Sequence, residues 1–180
     1  MSYFSLSQIQ HIGNIPNIRQ KNLERKSLAG KTTVFLSHSH KDADIIESAI
    51  AFLLSVGVLV YVDWLDPTMP QTTSAETAAK VKSRILECQK FVVLLTENSK
   101  DSKWVPWELG FADGKKANND IAVMPVKRSY YTNDSEFNGL EYMQLYQRIQ
   151  IGTLKMTGRE VPSIFSPDYT TGRTVENWLS

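Results

Sequence analysis

Short apolar segments alternate with longer amphipathic segments through the middle of the chain. Apolar runs rich in β-branched residues predict strands at residues 32–37, 58–62, 91–95 and 121–126. Between them, apolar residues recur at helical spacing over residues 42–54, 74–88 and 102–115. The predicted strands are apolar throughout and do not alternate with polar residues, which is typical of strands covered on both faces. The pattern therefore predicts a parallel sheet with helices packed on each side.

This order of elements predicts an α/β fold, a three-layer sandwich of flavodoxin-like topology around a central parallel sheet. In such sheets the ligand crevice lies beyond the carboxyl ends of the strands. The loops that follow the four predicted strands begin at Ser37, Asp63, Thr96 and Lys127. We therefore expect the functional site among these loops.

Residues 1–30 differ from the rest and are predicted to form an N-terminal arm. Isoleucines recur there every three residues, but Gly13 and Pro16 interrupt any helix. The pattern leaves three interpretations open: the arm packs on the domain, it mediates self-association, or it is a partly ordered leader.

Residues 31–180 are predicted to form one domain. The regular pattern covers residues 33–126, and it weakens over residues 127–180. Within this second part we expect a helix followed by a strand over residues 142–151. Over residues 161–180 we expect a loop that ends in a short helix.

Composition and charge narrow the function classes. The 180 residues are 42% hydrophobic and 22% charged, which fits one globular domain. Lys and Arg number 20 and Asp and Glu 19, so a net charge of +1 gives no indication of a nucleic-acid partner. The longest apolar stretch, residues 56–62, is far shorter than the ~20 residues that span a bilayer. The single cysteine, Cys88, excludes an internal disulfide and fits a cytoplasmic location.

Two histidines, His38 and His40, flank Ser39 just after the first predicted strand. A His-x-His pair can chelate a metal ion, but the sequence shows no carboxylate or cysteine cluster that would complete such a site. We therefore expect no metal. The residues favour histidines that line the crevice, or that cap the following helix together with Asp42.

The predicted helix over residues 102–115 holds the side chains best suited to chemistry. Glu108 lies one helical turn after Trp104, on the same face, and Trp107 and Phe111 add apolar surface. Spacing alone favours a solvated Glu108. The other interpretation is a desolvated carboxylate with a raised pKa, suited to stabilising a positive charge or to acting as a base. We expect Trp107 to be buried in either case.

Taken in order, these segments resemble the TIR (Toll/interleukin-1 receptor) domain. Four motifs carry the resemblance: VFLSHSHKD at 34–42, VYVD at 60–63, FVVLLTENS at 91–99, and W-x-x-x-E-L at 104–109. The last motif is fairly specific when it follows such a strand. The resemblance covers about residues 33–126, a little over half of the chain.

The resemblance implies a site. In enzymatic TIR domains the glutamate of the W-x-x-x-E motif cleaves NAD at the nicotinamide–ribose bond, which implies that Glu108 is catalytic. The side chains implied to contact the substrate are Trp104, then Ser37, His38, Ser39 and His40 after the first strand, and Asp63 and Trp64 in the BB loop. We define the BB loop as residues 63–73. NAD would be consumed as the substrate, and no cofactor or metal is implied.

The resemblance also implies a biological role. A short arm and one TIR domain look like stand-alone prokaryotic TIR proteins of Thoeris-type antiphage systems. Such proteins convert NAD into nicotinamide and ADP-ribose, or into a cyclic or conjugated ADP-ribose signal. The implied partners are NAD, a second copy that associates through the BB loop, and a separate effector that senses the nucleotide product.

Two alternatives remain open. A non-catalytic TIR interaction module would assemble signalling complexes and would have no need of Glu108. A nucleoside-processing transferase of related topology would also use a glutamate, but it would act on free nucleosides. The BB loop here lacks the Arg-Asp…Pro-Gly pattern of animal receptor adaptors, which counts against adaptor-type signalling.

Overall fold

The computed structural model describes residues 3–12, 31–70, 72, 74–128, 137 and 139–180. Its strands are β1 (Phe4–Ser5), β2 (Thr33–Ser37), β3 (Leu59–Tyr61), β4 (Lys90–Leu95), β5 (Ile121–Lys127), β6 (Gln147–Thr153), β7 (Glu160–Phe165) and β8 (Gly172–Thr174). Its α-helices are α1 (Leu6–Ile12), α2 (Ala43–Ser55), α3 (Ala75–Glu87), α4 (Trp104–Asp113) and α5 (Val175–Leu179). No helix of this described part is long and apolar enough to cross a membrane.

The strands form one sheet in the order β3-β2-β4-β5-β6-β7-β8, and β1 pairs with the end of β5. All neighbours from β3 to β6 are parallel, whereas β7 runs antiparallel to both β6 and β8. The first five strands of this order have the flavodoxin-like arrangement, in which the first strand of the parallel unit lies between the second and the third. The predicted α/β fold with a parallel central sheet is confirmed.

Two hydrophobic cores cover the two faces of the sheet. Val92 and Leu94 of β4 point into one core with α1, α2 and α5. Phe91 and Val93 of the same strand point into the other core with α3 and α4. Both faces are therefore buried, which explains why the central strands are apolar throughout.

The described part of the N-terminal arm packs on the domain. Phe4 pairs with Val126 of β5, and its ring centroid lies 5.1 Å from that of Phe52 in α2. Ile9 of α1 is fully buried in the same core. Residues 3–12 therefore belong structurally to the domain. Gly13, Pro16 and the rest of the predicted arm up to residue 30 lie outside the described residues.

The C-terminal part differs from the prediction. For residues 142–151 we predicted a helix followed by a strand, and the structure has a 3-10 helix, Glu141–Leu145, followed by β6. The loop predicted from residue 161 is wrong, because β7 and β8 are strands there, although the short final helix is present as α5. In β7 only two residues are buried, and Pro162 interrupts the strand pattern. Pairing with β6, which no local pattern reveals, defines this strand.

Candidate active site

The end of β2 meets helix α4 at the carboxyl edge of the sheet. Ser37 is the last residue of β2, and Glu108 lies on the second turn of α4. The Ser37 hydroxyl donates a hydrogen bond of 2.5 Å to Oε2 of Glu108, and both side chains are buried. This bond fixes a carboxylate at the edge where parallel α/β sheets bind their ligands.

Burial dominates the electrostatics of Glu108. Its residue is only 4% exposed, and desolvation raises the pKa of its carboxyl to about 8. The hydrogen bond from Ser37 opposes this rise, and the negative charge of Asp63 adds to it. The prediction of a solvated Glu108, which the spacing favoured, is therefore wrong.

A helical pattern within α4 explains the burial. Val105, Leu109 and Ala112 all lie in the core, and Glu108 falls on the same stripe at spacings of three, one and four residues. Its place on this apolar stripe is a sequence signal that favours burial, and the one-turn spacing from Trp104 did not include it. Carboxylates whose pKa is raised by burial are concentrated at functional sites.

His38 lies at the same edge as a buried, neutral histidine. Burial lowers the pKa of its ring, although the charge of Asp63 partly opposes this. Its Nδ1 lies 3.3 Å from the backbone oxygen of Leu36, and because that oxygen can only accept, Nδ1 carries the proton. His40 is exposed, with its ring centroid 5.8 Å from that of His38. Among the described residues, no group of three or more His, Cys, Asp or Glu could hold a metal ion.

Asp42 does not cap α2, contrary to the prediction. Its side chain makes no capping hydrogen bond and is completely buried. Its carboxylate accepts hydrogen bonds from Thr96 Oγ1 at 2.7 Å and from Asn98 Nδ2 at 2.6 Å. Asp42 therefore joins the loop after β2 to the loop after β4. Ser39 is also buried, where its hydroxyl accepts from the backbone N–H of Lys41 at the start of a 3-10 turn.

Aromatic side chains flank Glu108 on α4. Trp104 is half-buried, and its ring centroid lies 5.2 Å from that of Trp107 in an edge-on arrangement. Trp107 is half-buried too, with the ammonium group of Lys82 5.5 Å from its ring, so the prediction of a buried Trp107 is wrong. Asp63 is partly buried at the start of the BB loop, and the side chain of Trp64 lies outside the described residues.

A separate cavity of about 690 Å³ lies between α1, β7 and α5. Its lining includes Gln8, His11, Arg159 and Glu176, but neither Ser37 nor Glu108. The candidate site is therefore the group Ser37, His38, Asp63 and Glu108 at the carboxyl edge of the sheet. The cavity between α1, β7 and α5 is separate from it.

Comparison with known proteins identifies the family. The TIR domain family model matches residues 34–154. "Probable 3' cyclic ADP-D-ribose synthase ThsB'" of Bacillus cereus (strain MSX-D12) is 34% identical over 178 residues, which cover 98% of this chain and 88% of that protein. "Putative cyclic ADP-D-ribose synthase TIR2" of Cytobacillus dafuensis is 30% identical over 101 residues, which cover 54% of this chain and 26% of that protein. With the parallel sheet and the buried glutamate of its W-x-x-x-E motif, the chain belongs to the TIR domain family.

Proposed function

We propose that this protein cleaves NAD at the nicotinamide–ribose bond and converts the remainder into cyclic ADP-ribose. The observation that carries the proposal is the buried Glu108 carboxylate, held by Ser37 at the ligand-binding edge of the sheet. The names of the two relatives support the same reaction type. The relative that matches along almost the whole chain is named for a 3' cyclic product, which favours cyclisation over hydrolysis.

The chemistry follows from an ionised carboxylate next to the ribose. When the bond between the nicotinamide nitrogen and the ribose C1 breaks, its electron pair leaves with nicotinamide, and C1 becomes an oxocarbenium-like cation. The Glu108 carboxylate, which is itself buried, stabilises this charge. A hydroxyl of the same molecule then attacks C1, forms the new C–O bond and releases its proton, which the carboxylate accepts. If water attacks C1 instead, the product is linear ADP-ribose.

Product identification tests the proposal. We expect purified protein to release nicotinamide from NAD together with a nucleotide that is lighter than ADP-ribose by one water. Linear ADP-ribose as the only nucleotide would contradict cyclisation and leave a hydrolase. If no nicotinamide is released even when the protein is concentrated or fused to an oligomeric tag, the enzyme proposal fails, and the interaction module is favoured.

The rate should depend on pH through Glu108. Because burial places the pKa of the free enzyme's carboxyl at about 8 and the carboxylate is the active form, kcat/KM should rise as the pH increases through about 8. In the complex, the positive nicotinamide ring favours the carboxylate, so kcat should rise at a lower pH. Initial rates from about pH 6 to pH 9.5 measure both profiles. A kcat/KM that falls with increasing pH across this range would contradict an ionised Glu108.

The product's role and the assembly of the enzyme are part of the same proposal. We propose that the nucleotide is a signal for a separate effector in antiphage defence, and that the BB loop of one copy closes over the site of a neighbour. Pro67 is exposed in this loop, so replacing it leaves both cores intact.

Pro67→Asp should weaken association without unfolding the chain. We expect the specific activity of the wild type to rise with protein concentration. In the variant the rise should need about tenfold more protein, because a charge is introduced into the contact. The measurement is specific activity against protein concentration, with thermal unfolding as the control for folding. The same concentration dependence in both proteins would contradict closure by the BB loop.

A further inference from the structure

The BB loop contains a buried carboxylate, that of Asp66, which accepts hydrogen bonds from three other residues. Asp66 is 8% exposed. It accepts hydrogen bonds from the Tyr61 hydroxyl at 2.9 Å and from the backbone N–H and hydroxyl of Thr68 at 2.9 and 2.6 Å. The Arg84 guanidinium donates to Oδ2 of Asp66 through Nε at 3.0 Å, and its Nη2 forms an ion pair with the same oxygen at 2.9 Å. Such charge-assisted contacts are stronger than hydrogen bonds between neutral groups.

These bonds tie the BB loop to the rigid part of the fold. Tyr61 ends β3, and its ring stacks on Phe35 of β2 with centroids 5.4 Å apart. Arg84 belongs to α3, and Lys80 of the same helix donates to the backbone oxygen of Thr68. A strand and a helix therefore hold the segment that begins at Asp66.

The attachment stays charged over a wide pH range. Burial alone would raise the pKa of Asp66, but hydrogen bonds from Thr68 and Tyr61 and the charge of Arg84 hold it below its usual range. Asp66 is therefore ionised over the whole pH range in which Glu108 titrates. A change in rate near pH 8 does not arise from loss of the ion pair between Asp66 and Arg84.

Asp66 is directly connected to Asp63. The backbone N–H of Asp66 donates to the backbone oxygen of Asp63 at 2.9 Å, which closes the 3-10 turn Asp63–Leu65. Because Phe35 of β2 pairs with Tyr61 of β3, Asp63 follows β3 at the same edge of the sheet at which Ser37 ends β2. From there its charge acts on both Glu108 and His38. The other titratable groups that act on His38 are His40 and Asp42. The position of Asp63 relative to the candidate site thus depends on where Asp66 is held.

We infer that Asp66, hydrogen-bonded to Arg84 and Tyr61, is a positioning residue that fixes Asp63 beside Glu108 and His38. This inference rests on the proposed function for its kinetic consequences, but not for its structural ones. Asp66 itself does not contact Glu108; it acts through the 3-10 turn. Neither the spacing of residues in the sequence nor the W-x-x-x-E motif indicated this role.

Asp66→Asn tests the inference, because it keeps the size of the side chain and removes the charge that holds Arg84. We expect kcat at alkaline pH, where Glu108 is ionised in both proteins, to fall about tenfold, because small displacements at a site are costly, while KM changes less. The rise of kcat/KM with pH should move to lower pH, because the Asp63 charge no longer raises the pKa of Glu108. Asp63→Asn should move it in the same direction. In the double variant the rise of kcat/KM should occur at the same pH as in the single variants, because both substitutions remove the same effect of the Asp63 charge on Glu108.

Glu87→Gln is the matched control. Glu87 is exposed and bonds to the same guanidinium, at 2.7 Å from Nη1, and its hydrogen-bond partners Ser83 and Arg84 both belong to its own helix, α3. We expect its pH profile and kcat to equal those of the wild type. Unchanged kinetics in Asp66→Asn with only a lower Tm would overturn the inference, as would additive displacements in the double variant.

The change in the pKa of Glu108 can also be measured without turnover. The difference in thermal stability between the wild type and Glu108→Gln depends on pH according to the pKa of Glu108 in the folded state. In an Asp66→Asn background this dependence should move to lower pH, and an unmoved dependence would overturn the inference. A protein that releases no nicotinamide would therefore refute the proposed function, while this measurement would still decide the positioning role of Asp66.

Discussion

Glu108→Gln is expected to reduce nicotinamide release from NAD by about a thousandfold. The substitution keeps the shape of the side chain and an acceptor for the Ser37 hydroxyl, but it removes the negative charge that stabilises the ribosyl cation. Loss of one preorganised electrostatic group of this kind typically costs a factor of about 100 to 1000. The upper end is expected here, because the same carboxylate also accepts the proton of the attacking hydroxyl in the proposed reaction.

The measurement is nicotinamide release at saturating NAD for both proteins, with nucleotide products identified by mass. Glu176→Gln is the control, because Glu176 is exposed on α5 and lies at the separate cavity. It should retain full activity. A Glu108→Gln protein that keeps more than about a tenth of the wild-type rate would refute catalysis by Glu108. Release from a free nicotinamide nucleoside but not from NAD would favour the nucleoside-processing transferase.

The same substitution is expected to stabilise the fold at alkaline pH. The pKa of Glu108 is about 8 in the folded protein against an ordinary value of 4.5, so the folded state binds more protons than the unfolded state between these values. The wild type therefore loses stability as the pH rises from about 4.5 to about 8. The glutamine side chain of the variant cannot ionise and escapes this loss. The advantage of the variant should be on the order of 4 kcal/mol at pH 8, or roughly 8–16 °C in Tm.

Thermal unfolding of both proteins at about pH 5, 6.5, 8 and 9 measures this effect. We expect the difference in Tm to grow between pH 5 and pH 8 and then to level off. Glu176→Gln, in which an exposed side chain is replaced, should show no such trend. A Glu108→Gln protein that is less stable than the wild type at pH 8 would contradict a strongly desolvated carboxylate. Loss of activity together with a gain in stability would indicate that the fold tolerates this buried charge for function.

The elements that the sequence predicted well are defined by features of a few neighbouring residues. Each of β2, β4 and β5 is apolar on both faces, and Ser74, directly before α3, accepts from the N–H of Thr77 as the helix cap. Such features are encoded within a few neighbouring residues. Pattern and local capping were therefore enough to place them and to predict the parallel sheet.

The features that the sequence did not reveal depend on distant partners. Asp42 stands where a helix cap is expected, yet it is drawn instead to Thr96 and Asn98 on another loop. Asp66 has no distinguishing pattern around it, and its role emerges only when the fold brings Arg84, 18 positions away, onto it. Strand β7 likewise needs β6 as a partner before its weak pattern becomes a strand.

Glu108 lies between these two cases. Periodicity and motif spacing are local, so they were enough to predict the parallel α/β sheet, to identify the W-x-x-x-E motif and to indicate the edge of the sheet at which a site belongs. The burial of Glu108 against Ser37 and its electrostatic interaction with Asp63 became visible only in the folded chain. Desolvation and charge depend on what packs around a group from other parts of the chain, so its raised pKa is a property of the fold and not of the motif.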